Sequence, residues 1–306
     1  MICSVSASEL IIDKESAEKN FPLLKEAGFD AIDLGFDMIF EKTGGKLSPD
    51  LTFSKSSFYE LSDKEFFEYL DGIKNAAEKN NVKIGQCHAP FPSCWQGESK
   101  EFFKKVINRT IIAAGYLSCP YIVIHPRNFP LDNNIDKEAV FDANVEFYSE
   151  FIDVLKENKV IACLENMYSY RKNKIFEATC NDYDEVNRYI EVLNKKAGSE
   201  CFGFCLDTGH CVLTSTNIRY AIKTLGKNLK VLHLHEVSNN LDNHTIPFTL
   251  GIVDWDFIMT ALKDYGYEGT LNFETVEAWR IFPKELEEDV VKMLGSIAKY
   301  FKTKYF

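Results

Sequence analysis

The chain has 306 residues, 45% hydrophobic and 26% charged, enough for one large globular domain with a substantial core. Thirty-five basic against 46 acidic residues leave a formal charge of −11, the wrong sign for gripping nucleic acid or an anionic membrane. Nine cysteines, an odd number with no C-x-x-C pair, argue against a disulfide framework and for reduced thiols in a cytoplasmic protein. The N-terminus MICSVSASELIIDKE has no basic n-region and only a short apolar run, so it does not read as a signal peptide. No stretch approaches the roughly 18 apolar residues a membrane helix needs.

A strand-then-helix unit recurs along the chain. Short apolar runs at Ile2–Ser6, Ala31–Leu34, Val82–Cys87, Tyr121–Ile124, Val160–Leu164, Phe202–Leu206, Val231–Leu234 and Thr270–Phe273 read as strands, each followed by an amphipathic stretch. Phe141, Val145, Tyr148, Ile152 and Leu155 step by four and three, which predicts one helix face. Asn181 is placed to cap a helix over Tyr183–Lys196, and Asp254 to cap one over Trp255–Tyr265 that Gly266 ends. Eight such units predict an α/β fold, a (β/α)8 TIM barrel in a single domain over 1–306, with a doubly wound open sheet as the alternative. Two longer stretches, 36–62 and 166–181, interrupt the rhythm and read as loop insertions over the barrel mouth.

All six histidines fall at strand ends or just after them: His88, His125, His210, His233, His235 and His244. Glu165, Asp207, Asp242 and Glu274 are interleaved with them. Barrel chemistry sits at the C-terminal strand ends, and neutral imidazole with carboxylate is a donor set for Zn2+ or Mn2+, with Co2+, Fe2+ and Mg2+ as further candidates. Glu165, Asp207, His233 and Glu274 come from four consecutive strands and can converge on one ion while leaving a coordination position open. Any one of them alone would pass for a buried ion pair or a core histidine; four at successive strand ends would not. His210 follows Asp207 by three residues, and the intervening Gly209 permits a tight turn bringing the ring back over the ion.

Residues two positions before the site residues share their strand face: Gln86, Val123, Cys163, Cys205, Val231 and Asn272. They suit a filled layer inside the barrel, which makes Cys163 and Cys205 packing residues. Arg127, Arg171 and Arg280 follow strand ends and could hold a phosphate or hydroxyls. Phe91, Trp95 and Trp279 could wall a sugar ring, and Trp279 is also a candidate substrate contact.

The motifs HAPF (88–91), VIHP (123–126), CLEN (163–166), CLDTGH (205–210), LHLHE (232–236), the following D-N-H (242–244) and GIVDWDFIMTALKDYGYEGTLNFE (251–274) resemble the xylose-isomerase-like barrel superfamily. GFDAIDLGF (28–36) is a weaker echo. That superfamily joins sugar and sugar-phosphate isomerases and epimerases with endonuclease IV. The resemblance to ketose 3-epimerases implies a divalent ion on Glu165, Asp207, His233 and Glu274, with Glu165 and Glu274 also exchanging the substrate proton. It implies that His210 and His235 contact substrate, although sequence leaves the roles of His233 and His235 exchangeable. The endonuclease side implies up to nine ligands, adding His88, His125, His210, Asp242 and His244 for a second or third ion. A homodimer is implied by the habit of such barrels.

Two activities follow from this. The first is a metal-dependent isomerase or epimerase of a small carbohydrate, with an inosose-type dehydratase using the same ion and base. The second is a zinc-dependent abasic-site phosphodiesterase, which the charge of −11 and the dispersed basic residues disfavour. A non-catalytic sugar-binding barrel is the third reading.

Overall fold

The computed structural model describes residues 1–43, 57–91, 100–129, 135–172, 174–238 and 241–306, apart from the side chains of Ser57 and Arg171. Eight parallel strands form the barrel: β1 (Ile2–Ser6), β2 (Ala31–Gly35), β3 (Lys83–His88), β4 (Tyr121–Val123), β5 (Ile161–Glu165), β8 (Phe202–Asp207), β9 (Leu229–His233) and β12 (Thr270–Phe273). Four more make two antiparallel hairpins, β6 (Tyr168–Arg171) with β7 (Lys174–Glu177) and β10 (Glu236–Ser238) with β11 (Leu241–Thr245). The hydrogen-bonded order is β12-β1-β2-β3-β4-β5-β8-β9. Leu234 closes the ring, donating to Asn272 O at 2.9 Å and accepting from Glu274 N at 3.0 Å. Each of the eight sequence-predicted strands is present, with ends moved by two residues at most, and the open-sheet alternative is excluded.

The helices are α1 (Lys14–Glu26), α2 (Phe36–Lys42), α3 (Ser57–Glu60), α4 (Asp63–Asn80), α5 (Lys100–Tyr116), α6 (Lys137–Ser149), α7 (Ile152–Asn158), α8 (Tyr183–Ala197), α9 (Thr208–Leu213), α10 (Ile218–Leu225), α11 (Trp255–Asp264), α12 (Ala278–Ile281) and α13 (Glu287–Tyr305). Their starts are chemically marked. Asp13 with Ser16 and Ser62 with Glu65 form reciprocal capping boxes at α1 and α4, satisfying donors the helix itself cannot. Asp254 caps α11 as expected, accepting from Phe257 N at 3.0 Å. The cap of α8 is Asp182, one residue beyond the expected Asn181, whose side chain instead donates to Met167 O at 2.8 Å. The single face expected from Phe141 to Leu155 is split between α6 and α7, because Phe151 leaves helical geometry (φ −104°, ψ 0°) and buries its ring.

Outward-facing strand residues such as Val5, Ile32, Leu34 and Leu206 pack under the helices in the main core. Inside the ring, Val123, Cys163, Cys205 and Val231 form a separate buried cluster, the filled layer that strand parity predicts. The stretch 36–62 begins as α2 and ends with α3, where Phe36, Phe40, Phe58 and Tyr59 are buried; positions 44–56 lie outside the described residues. The stretch 166–181 is the β6–β7 hairpin rather than an irregular loop. Among the described residues, no helix is long and apolar enough to cross a membrane.

Candidate active site

The C-terminal strand ends deliver the site residues to one place. His88, Glu165, Asp207 and His233 are the last residues of β3, β5, β8 and β9, and Glu274 follows β12 directly. His125 stands two residues beyond β4, and the β10–β11 hairpin brings Asp242 and His244 over the same mouth. His244 holds φ 43°, a backbone region non-glycine residues seldom occupy, as functional sites often require.

Three overlapping groups of donor atoms result. In the first, Glu165 Oε2 lies 2.9 Å from His125 Nε2 and 3.7 Å from His88 Nε2. In the second, His233 Nδ1 lies 3.1 Å from Glu165 Oε1, 3.3 Å from Glu274 Oε2 and 3.9 Å from Asp207 Oδ2. In the third, Asp242 Oδ2 is 3.0 Å from both His210 Nε2 and His244 Nε2. Backbone carbonyls select the ring nitrogens. His88 Nδ1 donates to Ala89 O at 2.7 Å and His210 Nδ1 to Asn166 O at 2.7 Å, so each turns its Nε2 to the cluster, the nitrogen that gives up its proton when an ion binds.

The donor set fits a cation. Glu165 Oε2, Glu274 Oε2 and Asp242 Oδ1 are buried without a well-aligned hydrogen bond, although imidazole nitrogens stand close by. His88 Nε2 and His125 Nε2 face each other at 3.1 Å, where two lone pairs would repel unless a proton or an ion lay between them. Buried carboxylates and converging imidazoles of this kind are what N/O ligand shells are made from.

Mutual attraction sets the protonation states. Burial disfavours the charged form of Glu165, yet His233 and His125 beside it hold its carboxyl well below the usual range. Asp242 is likewise held low against burial by His210 and His244, and Glu274 by His233 and His244. Burial opposes the imidazolium of His88, but Glu165 raises it to about 9. Asp207 and Asp242 raise His210 against burial to about 10. His125 goes the other way, because burial outweighs its contact with Glu165.

His88, His125, Glu165, His210, Asp242, His244 and Glu274 floor a cavity of about 540 Å3, an ordinary size for a small-molecule site, with Asp207 and His233 fully buried. Its wall includes Asp37, Phe91, Tyr168, Tyr170, Glu277 and Arg280. Burial lifts the Asp37 carboxyl to about 6, although His88 and the Phe91 N–H it accepts from favour the anion. Arg280 is the one Lys or Arg among the described lining residues, and it is tied to Glu9 and Glu277 at 2.8 and 2.9 Å.

The xylose isomerase-like TIM barrel profile matches residues 21–298. The chain belongs to that family. It is 24% identical to the uncharacterized protein MJ1311 of Methanocaldococcus jannaschii, over 87% of this chain and 82% of the relative. Among solved structures it is similar to a zinc-bound IolI protein (TM-score 0.69, 16% identity, 100% of this chain and 99% of the other). A D-psicose 3-epimerase solved in the presence of D-fructose is also similar (TM-score 0.64, 17% identity, 98% and 99%). At these identities the structural likeness speaks for the fold.

In this xylose isomerase-like barrel, the nine residues His88, His125, Glu165, Asp207, His210, His233, Asp242, His244 and Glu274 come together. His235 lies in the same cluster: it is fully buried, as His233 is, with Nε2 2.9 Å from Asp207 Oδ2 and its ring stacked on His244 at 4.0 Å. Its donor atoms also stand close to those of His244 and Glu274, whereas His233 turns Nδ1 to both glutamates. Other sequence candidates sit elsewhere. Arg127 is absent from the cavity wall and lies against the Phe129 ring. Trp279 donates its Nε1–H to Ser6 O at 3.1 Å and is also off the wall. The Arg171 side chain and Trp95 lie outside the described residues.

Four positioning residues are added or given a different role by the structure. Asn166 clamps β5 to β8, donating to Asp207 O at 2.9 Å and accepting from Asp207 N at 2.8 Å. Glu236 is fully buried and accepts from Phe248 N, Ile252 N, Val253 N and the Trp255 indole, fixing the segment after the Asp242–His244 hairpin. Gly209 has no positive φ, so the expected turn is not its reason; a Cβ there would stand 2.1 Å from His235 Cε1. The fourth is Asp33, buried beneath His233 inside the ring.

Proposed function

We propose that this protein is a divalent-metal-dependent isomerase or epimerase of a small carbohydrate. Glu165, Asp207, His233 and Glu274 would hold the ion, with Zn2+ and Mn2+ the best matches to the donors. When bound, the ion supplies Lewis-acid polarisation of a carbonyl and its neighbouring hydroxyl. Glu165 and Glu274 rise from β5 and β12, three strands apart round the barrel, and both line the cavity. One, as a carboxylate, removes the proton from the carbon beside the carbonyl, for which it is basic enough once that C–H is acidified; the other, carrying a proton in the substrate complex, delivers it to the opposite face and is left ionised. Their shared approach to His233 Nδ1, at 3.1 and 3.3 Å, is the observation that carries this reading.

Phe91, Tyr168 and Tyr170 give the cavity the faces a sugar ring stacks on, and His210 is placed to meet a hydroxyl. Asp37, Glu277 and the engaged Arg280 favour an unphosphorylated substrate over a phosphate ester. The test is elemental analysis of active protein together with a panel of free ketoses and inososes. Activity with less than trace metal, or undiminished by thorough chelation, refutes the proposal.

The nine-residue assembly favours a second reading, a zinc-dependent phosphodiesterase acting on abasic DNA. The acidic cavity wall counts against it, since phosphate contacts need clustered Lys and Arg. Absence of nicking on an abasic duplex at low salt, with Zn2+ supplied, eliminates it.

A further inference from the structure

Asp33 lies in the middle of β2, on the inner face of the ring, with 1% of its surface exposed. Its Oδ2 accepts from Gln86 Nε2 on β3 and from Asn272 Nδ2 on β12, both at 3.0 Å. Because Oδ2 accepts from both amides, it also fixes which way they face. Among the described residues, the imidazole within ion-pair reach of Asp33 is His233, whose Nε2 is 3.6 Å from Oδ2.

His233 is fully buried, and its two nitrogens look in opposite directions. Nδ1 faces Glu165, Glu274 and Asp207, whereas Nε2 has no hydrogen-bond partner and Asp33 is the carboxylate beside it. A ring shift of about half an ångström would bring that pair to ordinary N–H···O length.

We propose that Asp33 is the positioning residue of the candidate metal centre: it accepts a hydrogen bond from Nε2–H of His233 and so keeps Nδ1 bare towards Glu165, Asp207 and Glu274 when the ion is bound. The inference rests on the reading that His233 holds the ion. A carboxylate behind a ligating imidazole fixes its tautomer and raises its basicity, and loss of such a partner typically costs about 10- to 100-fold in metal affinity. Gln86 on β3 and Asn272 on β12 hold the carboxylate in place across the inside of the ring, which gives this barrel layer a task besides packing.

Two measurements test it. The first is Zn2+ affinity of full-length wild type, Asp33→Asn and His233→Asn by competition with a chromophoric chelator, with circular dichroism confirming the fold. We expect Asp33→Asn to bind about 10- to 100-fold more weakly while His233→Asn loses the tight site. Asp33→Asn within twofold of wild type overturns the inference and leaves the metal reading intact; a wild type that binds no Zn2+ overturns the metal reading itself. The second measurement needs no variant. In Zn2+-loaded wild type labelled with 15N-histidine, long-range 1H–15N correlation should show His233 protonated at Nε2, and a proton on Nδ1 overturns the inference.

Discussion

Substituting Gly209 by alanine isolates one steric link in the site. The new Cβ would stand 2.1 Å from His235 Cε1, 2.6 Å from Nε2 and 2.8 Å from Nδ1, so the ring has to retreat by about 1.3 Å to reach ordinary contact. His235 has nowhere to retreat. Its Nε2 is held 2.9 Å from Asp207 Oδ2, its Nδ1 lies 3.2 Å from Glu236 O, and its face stacks on His244 at 4.0 Å. Overpacking costs about 1–3 kcal/mol, and loosening a hydrogen bond to a buried carboxylate costs about 1–3 kcal/mol more. The expected destabilisation is therefore about 2–6 kcal/mol, read as a lower urea midpoint of the metal-free protein at constant slope. Metal uptake should weaken with it, since Asp207 and His244 both move. The control is the same change in a His235→Ala background, where the ring is gone. There Gly209→Ala should cost little or stabilise by up to about 1 kcal/mol, because alanine is the better helix former. A single variant within about 0.5 kcal/mol of wild type, or a penalty that persists without His235, refutes the steric account.

Glu236→Gln leaves one carboxamide oxygen where two carboxylate oxygens serve four donors, so a loss of about 2–4 kcal/mol is expected in urea unfolding. The imidazoles of His88 and His210 are raised to about 9 and about 10, so they stabilise the metal-free fold fully below about pH 6.5, and that contribution fades as pH rises through 9 to 10. Ion binding has to displace those protons, so apparent metal affinity should rise over the same interval. Calorimetry in buffers of different ionisation enthalpy should register proton release at pH 7–8, and its absence contradicts the assignment. Glu165→Gln and Glu274→Gln should each lower turnover by about 10^2- to 10^4-fold, measured at saturating metal; activity surviving in either variant removes that residue from proton transfer.

Much of the barrel is legible in the sequence because it is written locally. Alternating and continuous apolar runs mark eight strands, and Asp254 and the two capping boxes mark helix starts through contacts spanning three residues. The Glu165, Asp207, His233 and Glu274 set is legible too, since a barrel gathers its C-terminal strand ends whatever the loops do. The inner layer of Val123, Cys163, Cys205 and Val231 follows from parity alone.

What the sequence leaves open concerns contacts between distant strands. Nothing in AIDLG distinguishes Asp33 from a polar residue on a half-solvated strand. Closure between Leu234 and β12 buries it, and the β2–β3 register, Asp33 opposite Gln86, gives it a partner. His233 and His235 share a strand parity, so their division of labour comes from the chain leaving β9: His233 ends the strand towards the glutamates, and His235 lies beyond it against Asp207. Arg127 and Trp279 follow strand ends as the site residues do, yet loop geometry sends them elsewhere. Residue type and strand position, both local properties, therefore determine which groups can reach the barrel mouth. Which nitrogen or oxygen faces the centre depends on neighbours up to 239 positions apart in the chain, as Asp33 and Asn272 are, and only the closed barrel sets those.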